Sequence, residues 1–489
     1  MLATENEGCG AKAGMIDCTG FGRVGRPSRI VRAIALATAL SASGAPVLAQ
    51  SPPGGEGQRL PFIRDAEIEQ LLRDYTTPIL RAAGLGQQNV QVVIINDRSF
   101  NAFVADGHRI FVNAGALTEA TTPNQIIGVL AHETGHLAGG HLSKIHQELA
   151  KAQTASLVAM LLGLGAVAAS AASHSAGTGD IGAAALMAPQ EVIKRSLLAY
   201  VRAQEEQADR AGVKFLNATA QSPKGMYDTF KRFAEQILYM SRYIDPYLQT
   251  HPMPAERVAA LAEVARTSPY WDKKDPPELQ LRHDLMRAKL FGFLDRPDAL
   301  LHRYPLSDVS LPARYARAIS AYRFSDLRGA IAQIDALIAM QPQNPYFYEL
   351  KGQALLEGGR PAEALAPLRK AISLAPNPTL MRVMLGQALV ATNDPKLADE
   401  AVVLLRTALI RDPDVPDGYR YLAMAFGRKG DLADADLASA QSAFTGGDFK
   451  AAKMLAIRAK GRFPVGSPGW VKADDIETFK APKPPGGLW

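Results

Sequence analysis

Two histidines and one glutamate lie within five consecutive residues, and these are the residue types that bind a metal ion and use it in hydrolysis. Residues 131–136 read Ala-His-Glu-Thr-Gly-His, so His132, Glu133 and His136 form an HExxH motif. On a helix, residues four apart share one face, so both imidazoles can reach a single ion. Zn²⁺ accepts neutral imidazole nitrogen, and Glu133 lies where a general base for an attacking water is needed. The motif predicts a catalytic zinc site, with a chance match on an exposed polar helix as the alternative.

The stretch around the motif has the start and stop signals of a helix. Thr122 can cap its beginning, Pro123 suits its first position, and Gln125 completes a capping box. Gly139 and Gly140 offer an end. The apolar residues between them are mostly spaced for one buried face, so the helix must pack on other structure. Polar side chains beside a buried face need partners, and this favours the metal interpretation over a chance match.

A catalytic zinc also needs a third protein ligand, and an acidic segment further along the chain can supply it. Residues 200–209 read Tyr-Val-Arg-Ala-Gln-Glu-Glu-Gln-Ala-Asp, within a helix predicted over 186–216. Glu205 can be the ligand, and Asp209, one turn later, can hold the other nitrogen of a ligating histidine. Such a charge cluster is by itself typical of a solvated helix face. Its position downstream of an HExxH motif favours a ligand.

A smaller cluster lies at residues 251–257, which read His-Pro-Met-Pro-Ala-Glu-Arg. His251 could contact the zinc or the oxyanion of a transition state, and Arg257 could do the same. A helix-capping turn with a surface histidine is the alternative. The third histidine of the metzincin pattern would fall at Leu142, so we expect His141 to be a surface or supporting residue.

Composition and charge restrict the class of protein. The 489 residues are 47% hydrophobic and 21% charged, enough for two or three domains with large cores. The net charge of +6 comes without an obvious basic run, so nucleic-acid binding is not expected. Residues 1–49 have the order of a secretory signal peptide, with basic residues up to Arg32, an apolar stretch over 34–45 and a small-residue cleavage site before Gln50.

We predict that this signal is cleaved and that the mature chain is periplasmic; an uncleaved N-terminal anchor is the alternative. Met15 is a second candidate start of translation. Both cysteines, Cys9 and Cys18, precede the cleavage site, so the mature chain is expected to contain no disulfide.

Residues 58–270 are predicted to form the peptidase domain. A helix is predicted over 64–84, a strand over 90–96 and a hairpin over 101–112, all before the HExxH helix. A strand and a hairpin followed by the HExxH helix are how a zinc peptidase presents a sheet edge to an extended substrate. Residues 154–172 are an uncharged apolar run, which we interpret as a buried or substrate-facing helix. A segment in peripheral contact with the membrane is the alternative.

A second, all-α region follows. Pro342 and Pro376 are 34 residues apart, the tetratricopeptide period, and small and large residues recur in phase over 310–465. With a helix pair added at the junction, the repeat region is predicted to span 278–465 and to offer a curved surface for protein partners. Residues 466–489 are rich in proline and glycine and are predicted to be a flexible tail.

The order of these features resembles the periplasmic metalloendopeptidases of the BepA/YfgC type, the beta-barrel assembly-enhancing proteases, whose peptidase domain is similar to that of HtpX. The resemblance covers residues 58–465 and rests on the HExxH motif, the acidic segment, the His-Pro turn and the repeats. It implies one zinc ion per chain, bound by His132, His136 and Glu205, with Glu133 as the general base.

The resemblance also implies roles for the surrounding residues and partners. His251 can occupy the open zinc position and keep the enzyme latent, and Arg257 is expected near the oxyanion. The sequence leaves both roles of His251 open, a block of the zinc and assistance in catalysis. The implied partners are the outer-membrane barrel assembly machinery and stalled or misfolded outer-membrane proteins.

We therefore predict an α+β zincin-like metalloprotease domain followed by an all-α tetratricopeptide-repeat solenoid. The predicted function is that of an exported zinc endopeptidase in the quality control of outer-membrane proteins. One alternative is a latent, chaperone-like scaffold whose zinc site is permanently plugged. Another is an integral membrane protease that uses residues 154–172.

Overall fold

A small mixed sheet is built from the first strands of the chain. In the computed structural model, β1 (Phe62–Ile63) and β3 (Ala102–Val104) are its edges, with β2 (Gln91–Ile95) and β4 (Arg109–Asn113) between them. β2 and β4 are parallel, whereas each edge strand is antiparallel to its neighbour. Their β-branched and aromatic residues favour strands, as predicted. The structure describes residues 62–105, 107–145, 147–151, 179–239, 251–252 and 254–480.

Helices pack against this sheet and against one another. They are α1 (Ala66–Ala82), α2 (Ala114–Glu119), α3 (Pro123–Gly139), α4 (Gly179–Ala218), α5 (Lys224–Tyr239) and α6 (Ala255–Arg266). α3 carries the HExxH motif, and its ends are those predicted. At its start, Gln125 accepts hydrogen bonds from the backbone N–H groups of Thr121 and Thr122. At its end, Gly140 has a φ of 60°, the left-handed conformation that favours glycine.

α3 approaches α4 and α5 closely because glycines leave room at both contacts. A Cβ atom at Gly135 would lie 2.7 Å from the carbonyl oxygen of Ala208 on α4. One at Gly128 would lie 2.6 Å from the Cβ of Met226 on α5. Backbone contact of this kind holds the two predicted ligand helices, α3 and α4, at a fixed separation.

Most of the remaining helices form successive pairs. Before these pairs come α7 (Pro277–Leu294) and the short α8 (Pro297–Arg303), and both pack on the helix that follows them. The pairs are α9 (Leu311–Phe324) with α10 (Leu327–Met340), α11 (Pro345–Glu357) with α12 (Pro361–Leu374), α13 (Thr379–Ala391) with α14 (Ala398–Arg411), and α15 (Pro416–Lys429) with α16 (Leu432–Thr445). Leu368 packs on Gly352 within one pair, and Leu405 packs on Gly386 within the next. Both contacts are so close that a Cβ atom at the glycine would not fit. The predicted fold class, an α+β peptidase domain followed by an all-α repeat region, is confirmed.

The prediction of a flexible tail over 466–489 is wrong for its first part. After α17 (Phe449–Lys460), a further helix, α18 (Pro468–Thr478), closes the described chain. The Ser467 side chain accepts a hydrogen bond from the backbone N–H of Trp470, and Ala473 is buried. The proline that suggested a loose segment occupies the first turn of the helix, where its missing N–H group has no intrahelical partner to lose.

Two predicted segments, the signal peptide over 1–49 and the apolar run over 154–172, lie outside the described residues. Among the helices within the described ranges, none is long and apolar enough to cross a membrane. Contact of residues 154–172 with lipid therefore stays a prediction.

A buried group of charged residues joins the peptidase part to the repeat helices. We call Asp65, Glu67, Lys289, Tyr315 and Glu349 the junction cluster. The Lys289 Nζ lies 2.7 Å from Asp65 Oδ2, 3.3 Å from Glu67 Oε2 and 3.6 Å from Glu349 Oε2. Tyr315 donates a hydrogen bond to Glu67 Oε2 at 2.9 Å. Three carboxylates thus share one buried cation between α1, α7 and α11.

Candidate metal centre

Four side chains from three parts of the chain converge on one point. His132 and His136 come from α3, Glu205 comes from α4, and His251 comes from the turn before α6. One ligand atom from each residue can be chosen so that all four lie within 4.8 Å of one another. His132, Glu205 and His251 are buried, and His136 is half-buried. The structure thus brings together all the ligands that the sequence predicted.

The spacing of these atoms fits a tetrahedral ion. The Nε2 atoms of His132 and His136 are 3.0 Å apart, and they lie 3.5 and 3.3 Å from the nearest Glu205 oxygens. The Nδ1 of His251 lies 3.4 Å from His132 Nε2 and 3.0 Å from Glu205 Oε2. Ligands at zinc–nitrogen and zinc–oxygen distances would be separated by about 3.3 Å in a tetrahedron. Three imidazoles and one carboxylate are also donors that zinc accepts.

Asp209 lies behind His132, the first histidine of the motif. Its Oδ1 is 2.9 Å from His132 Nδ1, so the histidine can donate its proton there and present the Nε2 lone pair to the centre. Glu205 and Asp209 are one turn apart on α4, so one helix supplies both a candidate ligand and the group that orients another.

Arg257 is bound to the two acidic residues rather than aimed at a substrate. Its Nε and Nη2 donate to the two Asp209 oxygens at 2.7 and 2.8 Å, and its Nη1 lies 2.7 Å from Glu205 Oε2. Nη1 also donates to the carbonyl oxygen of Pro252 at 3.0 Å. Every guanidinium nitrogen therefore has a partner behind the ligands. These contacts favour a positioning role for Arg257 over the predicted oxyanion contact.

The charges around the centre are strongly coupled in the metal-free protein. Burial would raise the pKa of Glu205, but His251 and Arg257 lower it well below its usual value. Burial would lower the pKa of His132, but hydrogen bonds to Asp209 and Glu205 raise it to about 9. Burial lowers the pKa of His136 to about 3. A neutral His136 beside an ionised Glu205 is the protonation state in which both can bind a cation.

Glu133 differs from Glu205 and Asp209 because its carboxylate has no close hydrogen bond within the described residues. It is fully buried, and burial raises its pKa. Neither carboxylate oxygen accepts a hydrogen bond within the described residues. Its Oε1 lies 3.5 Å from His251 Nε2. The group beside the centre is therefore poised to accept a proton.

A buried aromatic ring that the sequence did not predict forms one side of the site. Phe230 on α5 is fully buried, and its ring centroid lies 5.2 Å from that of His132 in an edge-on arrangement. The Cζ of Arg257 lies 5.4 Å from the same ring centroid. The apolar stripe of α5 could have indicated a buried Phe230, but nothing in the spacing links α5 to the HExxH helix.

Comparison with known proteins gives two family matches. Residues 63–265 match peptidase family M48, and residues 315–378 match a tetratricopeptide repeat. The first match covers the sheet, the HExxH helix, α4 and the His251 turn. The second falls within the paired helices of the C-terminal region.

Similarity to whole proteins extends across both regions. The chain is 24% identical over 415 residues to the beta-barrel assembly-enhancing protease of Yersinia pestis, which covers 83% of this chain and 82% of that protein. It is 24% identical over 374 residues to the proteins of the same name from Escherichia coli strain K12 and Shigella flexneri, which covers 75% of this chain and 73% of each relative. The chain is therefore a metalloprotease with a region that matches peptidase family M48 and a region that matches a tetratricopeptide repeat, and over most of its length it is similar to the beta-barrel assembly-enhancing proteases.

Proposed function

We propose that the chain is an exported, periplasmic zinc endopeptidase that hydrolyses misfolded or stalled outer-membrane proteins. The observation that carries this proposal is the convergence of His132, His136 and Glu205 on one point, with the buried carboxylate of Glu133 beside it. A hydrolase needs both parts, an electrophilic centre and a base that is not consumed as a ligand.

His132, His136 and Glu205 would hold the zinc, which polarises the peptide carbonyl when it is bound. Glu133 would take one proton from the attacking water as the C–O bond forms. The same proton would pass to the leaving nitrogen as the C–N bond breaks, so that Glu133 ends the cycle ionised. The raised pKa of Glu133 supports this assignment because it brings the base closer to neutral pH. Arg257 and Asp209 would orient Glu205 and His132.

His251 would keep this site latent. Its Nδ1 lies among the ligand atoms, and its Nε2 faces Glu133. In that position the His251 ring would act as the fourth ligand of the metal and would also lie beside the base. An active state would require the His251 ring to move aside.

The repeat region would bind a partner or a client and bring it to the peptidase domain. Docking raises the local concentration of substrate without strong affinity at the catalytic site. The names of the relatives support the barrel assembly machinery as the partner. The predicted signal peptide supports the periplasm as the compartment.

The second candidate is a chaperone-like scaffold. The convergence of four ligand atoms, with His251 as the fourth, favours it because a closed four-ligand zinc site is structural rather than catalytic. The two functions differ in whether removal of the His251 imidazole exposes hydrolytic activity.

The test is degradation of unfolded casein by purified, zinc-loaded protein. We would compare the parent, His251→Ala, Glu133→Gln and the double variant, with Glu206→Gln as a control. Glu206 is a neighbour of Glu205 but is exposed and paired with Arg210 at 2.8 Å. The enzyme proposal expects cleavage by the His251 variant that disappears in the double variant, and no effect of Glu206→Gln.

The outcomes separate the candidates. Absence of cleavage by every variant, in protein that retains one zinc per chain, would support the scaffold. Equal cleavage with and without Glu133→Gln would indicate a contaminating protease or a wrong assignment of the base. Reduced cleavage by His251→Ala relative to an active parent would mean that His251 assists the reaction.

A further inference from the structure

A third α3-associated histidine lies behind the candidate centre and has no role in the mechanism above. His141 is 4% exposed, and its Nδ1 lies 3.0 Å from the Nδ1 of His136. The Nε2 of His136 faces the other ligand atoms, so Nδ1 is the nitrogen on the far side of that ring. The two imidazoles meet edge to face, with ring centroids 5.0 Å apart.

Only one arrangement of protons lets this contact support a ligand. A hydrogen bond between two Nδ1 atoms requires one to donate and the other to accept. A neutral His136 that offers its Nε2 lone pair to a metal has its proton on Nδ1, so it must be the donor. His141 then accepts with Nδ1 and has its own proton on Nε2.

The end of α3 is shaped to place this imidazole. Gly140 turns the chain with a φ of 60°, so the residue after it folds back beside the helix. A Cβ atom at Gly139 would lie 2.3 Å from His141 Nε2 and 2.6 Å from Cδ2. The imidazole therefore packs directly on the backbone of residue 139, and a side chain at that position would displace it.

We propose that His141 is a positioning residue that fixes the tautomer and ring orientation of His136 for metal binding. This inference rests on the proposed function, because it assumes that His136 is a ligand. It gives each ligating histidine of α3 its own hydrogen-bond acceptor. Asp209 serves His132 with a carboxylate, and His141 serves His136 with a neutral imidazole.

The test measures Zn²⁺ affinity of the metal-free full chain by competition with a chromophoric chelator. His141→Phe keeps a ring but removes the acceptor, whereas His141→Asn places an amide oxygen near the position of Nδ1. His302→Phe is the matched control, since His302 is exposed on α8 away from the centre. Thermal unfolding of each metal-free variant measures structural damage separately from metal binding.

We expect His141→Phe to weaken Zn²⁺ binding by about 10–100-fold, the usual effect of losing such a partner. His141→Asn should recover most of this loss, and His302→Phe should bind as the parent does. Unchanged affinity in His141→Phe would overturn the inference while leaving the proposed function intact. Equal losses in the Phe and Asn variants, with matching falls in unfolding temperature, would reduce His141 to a packing residue. A parent that binds no Zn²⁺ would overturn the proposed function and this inference together.

Discussion

Replacement of Lys289 by methionine should loosen the junction between the peptidase part and the repeats. Methionine is unbranched and of similar length, so it fills much of the same space without the charge. The lysine Nζ is the cation shared by the junction cluster, and its side chain is 4% exposed. Nearby carboxylates, Asp65 foremost, overcome burial and raise the pKa of Lys289 well above its usual value, so the folded state holds it charged.

The magnitude follows from what the substitution leaves behind. Glu67 and Glu349 stay buried without a cation, and removing one partner of a buried ion pair typically costs about 3–5 kcal/mol. Protonation limits this cost, because burial already raises the pKa of Glu349 to about 7 and that of Glu67 above its usual value. The loss of unfolding free energy should therefore be about 3 kcal/mol or more near pH 8 and smaller near pH 5, where carboxyl groups take up protons more readily.

Urea unfolding, followed by circular dichroism at pH 5 and pH 8, measures this loss. Lys351→Met is the matched control, since the Lys351 Nζ contacts Asp335 at 2.6 Å on a partly exposed surface of α10 and α11. Exposed pairs contribute less than about 1 kcal/mol. If Lys289→Met and Lys351→Met lower the unfolding free energy equally, or if the Lys289 effect does not grow with pH, then the junction cluster is not the buried charge network described above.

Two further substitutions test other parts of the structure. Burial raises the pKa of Glu349 to about 7, so its protonated form stabilises the fold; this contribution is fully present below the pKa of the unfolded chain and is lost as the pH rises through 7. Glu349→Gln should therefore flatten the decline in urea midpoint between pH 5 and pH 8. Parallel curves for the parent and the variant would contradict this. Gly135→Ala should push α3 away from Ala208, lowering the unfolding free energy by about 1–3 kcal/mol and weakening Zn²⁺ binding. Gly427→Ala is its control, since a Cβ atom there meets nothing within 4 Å, and comparable effects of the two alanines would refute the close-contact explanation.

The parts of the site that the sequence could predict depend on local rules. The bounds of α3 follow from a capping box at Gln125 and a left-handed glycine at Gly140, and both signals lie within a few residues of the ends they define. The two histidines share a face because they are one turn apart. Glu205 and Asp209 follow the same helical spacing, so recognising one as a ligand predicts the place of the other.

The parts that the sequence could not predict depend on contacts between distant elements. Arg257 was expected at the oxyanion, yet its guanidinium group binds Asp209 and Glu205, which lie about fifty residues earlier in the chain. No local sequence pattern shows whether an arginine will contact an oxyanion or buried carboxylates. His141 is similar, because its use depends on how Gly140 turns the chain rather than on its spacing from His136. The tail helix was missed because a proline in the first turn of a helix looks the same in sequence as one in a loop.

The arrangement around Glu205 bears on whether His251 plugs the site permanently. Glu205 Oε2 contacts both His251 Nδ1, at 3.0 Å, and Arg257 Nη1, at 2.7 Å. If the His251 ring moves aside, Arg257 still compensates the buried carboxylate, and Asp209 still orients His132. Removal of the fourth ligand would therefore leave the other three in place with their charges paired. A purely structural site has no need for a compensating charge that remains when its fourth ligand leaves, so this arrangement favours a latent enzyme over a scaffold.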